Sequence, residues 1–378
     1  MTPTAALRIE LVRSRADLRA FIALPRQLYA GMAGFVAPLD HERAEMLDPR
    51  KAAFFAHGEA AYWLAYRDGR TVGRVSAQND RAGSADAGLF GCLDAIDDAA
   101  VVAALLATAE AWLRAKNCTS ATGPYMLSIN GESGLLLEGH AEPPMVLMPW
   151  HPPYLPALVL AAGYGVARTL ESFSLHLPSF DGDAKFQAFS GSESAAGIRI
   201  RGLRMGALAE EGAIARRLFN DAWQENWGFV PLEPADIDGL VHGFKPFLFE
   251  ECAAVAELAG EPQALALVVP NIAEITADLG GRPSPWGWLK LLWRIKRHRY
   301  NAARIILFGL ASKHRASLTG MTMIMMIVAE LIARARRLRI VHIEAGWVLD
   351  NNTQVLRMLR SVGFRRSRVY GIYVKPLV

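Results

Sequence analysis

Cysteine is scarce in this chain. There are three in 378 residues, Cys92, Cys118 and Cys252, and no two form a C-x-x-C pair. That excludes a disulfide framework and a Cys-rich zinc site, and it points to a reducing compartment. Charge of one sign is also lacking. Forty-one Lys and Arg against 37 Asp and Glu leave a net charge of +4, too little for a nucleic-acid footprint, so no nucleic-acid partner is expected. No apolar run reaches the roughly 20 residues of a bilayer crossing; the longest candidate, 321–333, is interrupted by Glu330. Residues 1–21 carry arginines and no apolar core of a signal peptide. No P-loop, G-x-S-x-G elbow, H-E-x-x-H helix or Nudix-type R-E-x-x-E-E string occurs. Nucleotide hydrolysis, Ser-hydrolase chemistry and a zinc protease thus lose their usual support, and no metal is expected. A cytoplasmic protein that does not span the membrane is the expectation.

What is present is a folding composition. Apolar residues make up 52% and charged residues 21%, with 32 Gly and 20 Pro. This excludes a disordered chain, and the length suits two domains.

The chain also repeats itself. Residues 161–168 match 361–368: Gly163 aligns with Gly363, Tyr164 with Phe364 and Arg168 with Arg368. A short helical pattern precedes each glycine, at 155–161 and 354–361, and an alternating strand follows, at 172–177 and 371–374. A glycine there supplies the positive φ of a helix C-terminus, and the next aromatic packs back on the helix. Upstream, 99–116 and 321–338 both read as long helices leading into a strand. The expected architecture is α/β (α+β): two tandem units, each a mixed, mostly antiparallel twisted sheet flanked by helices. The units are placed at 1–180 and 197–378, joined by an Asp/Gly/Ser-rich linker at 181–196.

The second half has a recognisable order. A strand at 199–203 and a helix at 208–227 precede a hairpin, 252–258 and 263–269, with its turn at 259–262. A strand at 303–310, the long helix, a strand at 340–345, an Asn-initiated helix and a last strand follow. This order, with Asp350-Asn351-Asn352 and Gly363-Phe364 at its end, resembles the GNAT superfamily of acyl-CoA-dependent N-acyltransferases. Asn220-Asp221-Ala222-Trp223, Asn226-Trp227-Gly228-Phe229-Val230-Pro231, Gly123-Pro124, Asn130-Gly131-Glu132, Gly134-Leu135, Pro149 and Pro152-Pro153-Tyr154 are similar to a tandem GNAT family of acyltransferases implicated in bacterial ceramide synthesis.

The resemblance implies a cofactor-diphosphate loop, R-x-x-G-x-G/A, at the start of the long helix. Here the string is Arg315-Ala316-Ser317-Leu318-Thr319-Gly320, with Lys313 and His314 before it. The first Arg and the last Gly stand, while Leu318 replaces the middle glycine. Its Cβ is expected to crowd the approach of an anion to the backbone. The N-terminal half has Asp94-Ala95-Ile96-Asp97-Asp98 at the matching place, which repels a phosphate, so that unit is expected to shape the substrate cleft and to leave acyl-CoA to the C-terminal unit.

N-acyl transfer needs a deprotonated amine, a thioester beside it and donors for the developing oxyanion. The candidate general base is Glu344, on the strand after the long helix; a structural carboxylate is the alternative. Tyr370 and Tyr373 are candidates to protonate the leaving thiolate, against a role in strand packing. Lys313, His314, Arg315, Thr319, Gly320 and Asn352 are the candidate cofactor-binding residues, Asn352 also reading as a helix N-cap. Asn130, Glu132, Tyr154, Asn226 and Trp227 are the candidate substrate-binding residues.

Residues 286–299 are rich in Trp, Leu, Lys and Arg. At 100° per residue, Trp288, Leu289, Leu291, Leu292 and Ile295 share a broad face, with Lys290, Arg294 and Arg297 on the other. Such a helix suits an interfacial membrane contact on the inner membrane surface, or docking on its own domain. The expected function is transfer of an acyl group, long-chain, from acyl-CoA to an amine, with a sphingoid base as the candidate acceptor. A degenerate scaffold that binds acyl-CoA, lipid or a partner protein without catalysis is the alternative. The string from His176 to Asp181 also fits the H-x-x-x-x-D of glycerolipid acyltransferases, but it runs into the linker.

Overall fold

The computed structural model describes residues 6–84, 86–182, 186, 195 and 197–377, so the expected linker lies almost entirely outside the described residues. The chain divides into two compact units. The first comprises Met1–Leu170, Ile275–Leu291 and Arg368–Val378, the second Glu171–Glu274 and Leu292–Ser367.

In the first unit β1 (Arg8–Leu11), β2 (Gly58–Arg67), β3 (Arg70–Asp80) and β4 (Ala87–Ala95) form an antiparallel run. β4 then pairs in parallel with β5 (Ser120–Gly123) over three residues, Ala87–Leu89 against Ser120–Thr122. Alternation along β2 and β3 sends neighbouring residues to opposite faces. Trp63, Ala65, Val75 and Ala77 join one apolar cluster with the helix Ala99–Ala115, while Tyr62 and Leu64 join another with the helix Arg15–Tyr29. The short strand β6 (Leu135–Glu138) and the helix Leu155–Ala161 follow, and then the long strand β7 (Gly165–His176), of which Gly165–Leu170 lies in this unit.

The second unit repeats the plan. β8 (Ile198–Arg201), β9 (Ala253–Leu258), β10 (Glu261–Pro270) and β11 (Ala302–Leu310) run antiparallel. β11 pairs in parallel with β12 (His342–Leu349) over Ala302–Ile305 and His342–Ala345. Ala254, Ala256, Ala264 and Ala266 line one face. Small side chains there let the helix Leu318–Arg337 sit close, with Met323, Ile327 and Leu331 against them. The opposite residues, Ala253, Val255 and Leu265, meet the helices Leu208–Trp223 and Pro234–Phe244 through Leu218 and Ile237.

The repeat holds at the level of hydrogen bonds. Gly163 and Gly363 have φ of 90° and 105°. The N–H of Tyr164 reaches Val159 O at 3.4 Å, and the N–H of Phe364 reaches Leu359 O at 3.0 Å, the same six-residue closure of a helix end. The strands that follow, β7 and β13 (Arg365–Pro376), are each 12 residues long and begin at the same point after the glycine.

Several boundaries differ from expectation. Arg368–Val378 belongs to the first unit, where Tyr373–Pro376 pairs with β5 and Val369–Gly371 with β6. Glu171–His176 belongs to the second. The hairpin turn is shorter than read: Ala259 and Gly260, with φ of 53° and 83°, make a two-residue turn, and Glu261 and Pro262 already lie in β10. The long helix is 20 residues, Leu318–Arg337, and so reaches the length of a membrane span. Half of its apolar window is buried inside the protein, as in a core helix.

Candidate functional site

The loop between β11 and the helix Leu318–Arg337 is bolted to the end of the helix Leu208–Trp223. Ser312 donates to the Asp221 carboxylate twice, from its N–H at 2.6 Å and its Oγ at 2.8 Å. Arg315 pairs with Glu225 at 2.7 Å and donates to the carbonyls of Asp221, at 3.0 Å, and Ala222. Burial opposes charge on Asp221, but the Ser312 hydrogen bonds and the Arg315 charge prevail and hold its carboxyl below the usual range. The conspicuous Asn220-Asp221-Ala222-Trp223 string is therefore a clamp. Asn220 exchanges hydrogen bonds with both backbone groups of Leu232, at 2.9 and 3.1 Å, and Trp223 Nε1 donates to Phe308 O at 3.0 Å.

Ser317 caps the helix, its Oγ accepting from the Gly320 N–H at 3.0 Å. Gly320 is required by close approach: a Cβ there would run into the His314 carbonyl oxygen, far inside van der Waals contact. Among the described residues none accepts from the N–H of Leu318 or Thr319, so two donors remain open at the positive end of the helix. Lys313 is exposed, while His314, Arg315 and Thr319 are half-buried. Leu318 is the first residue of the helix and is 67% exposed. Its side chain is thus not packed on the rest of the protein.

The first unit's matching turn is already occupied. Asp98 caps the helix Ala99–Ala115, accepting from Ala100 N–H at 2.9 Å and Val101 N–H at 3.1 Å. Arg67 pairs with it at 2.7 Å and holds its carboxyl below the usual range. The chain's own carboxylate fills the place an anion would take.

Glu344 lies on β12, directly across the parallel ladder from Arg304 on β11. Both are buried, at 1% and 3% exposure. Arg304 Nη2 donates to Gly346 O at 2.7 Å. Gly346, φ 144°, is crowded by Ser172 and Glu171, so a side chain there would collide with that strand. Arg304 escaped the sequence reading, although an Arg within the apolar run of β11 signals a buried, partnered charge.

The other candidates are distributed as follows. Asn352 is the N-cap of the helix Thr353–Val362, its Oδ1 accepting from Val355 N–H at 3.3 Å. Asn226 and Trp227 are half-buried in the turn after the helix Leu208–Trp223. Those three, Glu344 and the Lys313–Gly320 group belong to the second unit; Asn130, Glu132, Tyr154, Tyr370 and Tyr373 belong to the first. The two C-terminal tyrosines, expected in the C-terminal unit, are thereby grouped with the N-terminal one. Both are buried on β13, and Tyr373 sits in the apolar cluster with Phe90, where burial pushes its hydroxyl up to about 12. Tyr154 donates to Ala95 O at 2.8 Å; burial first, then Asp97 and Asp94, raise it to about 12. Glu132 pairs with Arg43 at 2.5 Å, and Asn130 lies in the same turn.

No family model matches the chain. Two curated bacterial proteins are similar along nearly all of it. A bacterial ceramide synthase from Caulobacter vibrioides is 36% identical over 383 residues, covering 99% of this chain and 98% of the relative. Protein YghO from Escherichia coli is 34% identical over 378 residues, covering 96% and 94%. Among solved structures, a tandem GNAT protein from the clavulanic acid biosynthesis pathway superposes with a TM-score of 0.62 at 13% identity, covering 99% of both chains. A GCN5-related N-acetyltransferase from Sphaerobacter thermophilus gives 0.55 at 13% identity, covering 98% and 96%. The chain belongs to the tandem GNAT family of N-acyltransferases that includes the bacterial ceramide synthase of Caulobacter vibrioides.

Proposed function

We propose that the protein transfers a long acyl chain from acyl-CoA to the amine of a sphingoid base, at the cytoplasmic surface of the inner membrane. The observation that carries this reading is the 36% identity, over almost the full length of both chains, to the ceramide synthase of Caulobacter vibrioides.

In this reading the diphosphate of acyl-CoA meets the open N–H groups of Leu318 and Thr319, with Lys313 and His314 adding positive charge. Arg315 acts at one remove, by fixing the loop to the neighbouring helix. Glu344 takes the proton of the acceptor ammonium, directly or through water. The amine nitrogen then attacks the thioester carbonyl, the C–N bond forms and the C–S bond breaks. The leaving thiolate takes a proton from a donor for which Tyr370 and Tyr373 are the candidates, and the second proton of the amine nitrogen, released as the amide forms, restores that donor.

The helix Pro285–Arg297 supports the membrane contact. Leu291 is buried and Trp288 packs on His41, ring centroids 6.0 Å apart. Trp286, Leu289, Leu292 and Trp293 are 79%, 57%, 58% and 65% exposed. At 100° per residue these four share one side of the helix, with Lys296 on the same side and Arg297 at its edge. Exposed tryptophans next to Arg294, Lys296 and Arg297 suit anionic headgroups above acyl chains. The apolar face read from sequence is therefore two faces, one docked and one bare.

A binding scaffold without catalysis is the second reading. It draws on Leu318 in place of a loop glycine and on the engagement of Arg315 with the helix Leu208–Trp223. Free-thiol release from acetyl-, octanoyl- and palmitoyl-CoA, with and without sphinganine and simple amines, separates the two. Sphinganine-dependent release, greatest with palmitoyl-CoA, is expected. No release from any thioester by folded protein would overturn the enzyme reading in favour of the scaffold.

A further inference from the structure

The small net charge of the chain conceals an uneven distribution. Residues 279–378 hold nineteen Lys and Arg against three Asp and Glu, while the first 278 residues hold 22 against 34. No acidic residue lies between Asp278 and Glu330 or after Asp350. A surplus gathered on one surface attracts an anionic partner, and in the second unit the fold gathers it. Glu274 pairs with His298 Nε2 at 3.0 Å and accepts from the N–H groups of Asn301 and Ala302, both at 2.9 Å. The end of the helix Pro285–Arg297 is thereby fixed to the start of β11. Asn301 O in turn accepts from Val341 N–H at 2.7 Å and His342 N–H at 3.0 Å. Arg299 and Arg339 thus flank one junction, each two residues before it. Arg336 Nη2 reaches Phe180 O at 3.4 Å, and the Phe180 ring lies 3.9 Å from where a Cβ of Gly363 would stand. The turn that leads to Arg365 therefore meets the same helix end.

Internal needs account for only part of this charge. Arg334 and Arg337 answer Glu330 at 2.6 and 3.5 Å, in the last turn of their helix, where cations suit the dipole. Glu171 faces Arg360 and Arg366 at 3.8 and 4.0 Å. Lys296, Arg297, Arg299, Arg339 and Arg365 are exposed, and among the described residues no carboxylate pairs with them. Arg339 is the most telling. The same six-residue closure ends four helices: Tyr164 N–H to Val159 O, Phe364 to Leu359, Cys118 to Leu113 and Ile340 to Ala335. Each needs a left-handed residue just before the donor. Gly163, Gly363 and Asn117 fill it at three ends, with φ of 90°, 105° and 62°. At the fourth it is Arg339, at 61°, a conformation that long side chains avoid. Glycine would serve the fold better there; arginine sets an exposed charge beside Arg299.

We propose that this end of the second unit is an anionic-lipid surface, on which Arg299, Arg339 and Arg365 hold phosphate headgroups. This rests on the reading of the helix Pro285–Arg297 as a bilayer contact and extends that contact from one helix to the end of a unit. A lipid suits the surface better than an acidic protein because apolar side chains stand bare among the cations. Leu292 and Trp293 are exposed before Lys296, and Leu338 is exposed between Arg337 and Arg339. Cations that flank exposed apolar side chains match a charged headgroup layer above acyl chains.

The test is flotation of the full chain with vesicles of phosphatidylcholine alone and of phosphatidylcholine mixed with phosphatidylglycerol. Arg299→Gln, Arg339→Gly and Arg365→Gln are each expected to lower partition into the mixed vesicles about fivefold, the equivalent of about 1 kcal/mol. Partition into phosphatidylcholine alone should stay within about twofold, and added salt should shrink the difference. Arg339→Gly should do this with a urea midpoint no lower than wild type, since glycine suits its backbone, so lost binding is not lost folding. Arg299→Gln, at an exposed side chain, gives the same reading if Arg339→Gly fails to fold. Trp286→Ser with Trp293→Ser should instead weaken partition into both kinds of vesicle. Arginine variants that match wild type on mixed vesicles, or that lose equally on both, overturn the proposal. Wild type that floats equally with both kinds would keep the tryptophan contact and give this surface to an acidic protein. Wild type that floats with neither would end the bilayer reading itself, and this surface with it.

Discussion

Glu344 stands directly opposite Arg304 across the parallel pair β11–β12, and the two are almost completely enclosed. Neighbours in such a register share a face of the sheet, and Arg304 is anchored beyond Glu344 by its bond to Gly346 O. A carboxylate placed beside a fixed guanidinium is held in position whatever its chemistry. Glu344→Gln keeps the shape and removes the charge. It is expected to lower kcat about 100-fold or more, the usual size of a lost general base, with acyl-CoA affinity unchanged by calorimetry. An unchanged kcat would make Glu344 a structural partner of Arg304.

Which parts were legible in the sequence follows from which are locally encoded. The 200-residue repeat was readable because Gly163 and Gly363 need positive φ, and because Tyr164 and Phe364 mark the same closure. The Asn352 cap was readable for the same reason: its side chain serves its own helix. The placement of Arg368–Val378 in the first unit was not. β7 and β13 are equal in length and similar in local pattern, and pairing of Tyr373 with Gly123 is a contact between residues far apart in sequence. Periodicity likewise showed that the helix Pro285–Arg297 is apolar, but not that Leu291 is its anchor while Trp286 and Trp293 are bare. Asn220 and Asp221 stood out as unusual residues, yet their role as clamps needed the partners Leu232 and Ser312.

The loop geometry makes opposite predictions for two neighbouring residues. Gly320→Ala puts a methyl group into the His314 carbonyl, so the loop must shift. Acyl-CoA affinity, read by calorimetry, is expected to fall about tenfold or more, with the fold retained by circular dichroism. Leu318→Gly removes an exposed side chain at the first helical position and is expected to leave affinity within about threefold. A larger loss at Leu318 than at Gly320 would mean that the anion does not sit on this helix end.

The bare face of the helix Pro285–Arg297 predicts binding to anionic bilayers. Full burial of a large apolar side chain is worth about 1.5–3 kcal/mol. Trp286→Ser with Trp293→Ser should therefore cut flotation with phosphatidylglycerol liposomes by about tenfold or more. Trp288→Ser, which removes a docked ring, should reduce stability more than membrane binding. Flotation indifferent to the double substitution would sink the contact.

Asp221 predicts how the second unit answers to acid. Its carboxyl is held below the ordinary aspartate value of 3.8, the Ser312 hydrogen bonds and the Arg315 charge outweighing burial. A depressed folded-state pKa contributes stability that is complete above the unfolded value and is lost as pH falls through the folded one. Asp221→Asn removes the charge that Ser312 and Arg315 use, so the variant should unfold at lower urea than wild type at pH 7. The gap should hold down to about pH 4 and close below it, where the wild-type carboxylate itself takes up a proton. The same substitution frees Ser312 and loosens the turn that leads to Ser317 and Gly320, so the acyl-CoA KM should rise at pH 7 as the urea midpoint falls. A variant whose urea midpoint matches wild type at pH 7 would show that the clamp contributes nothing to the fold, and the KM would then report on the loop alone.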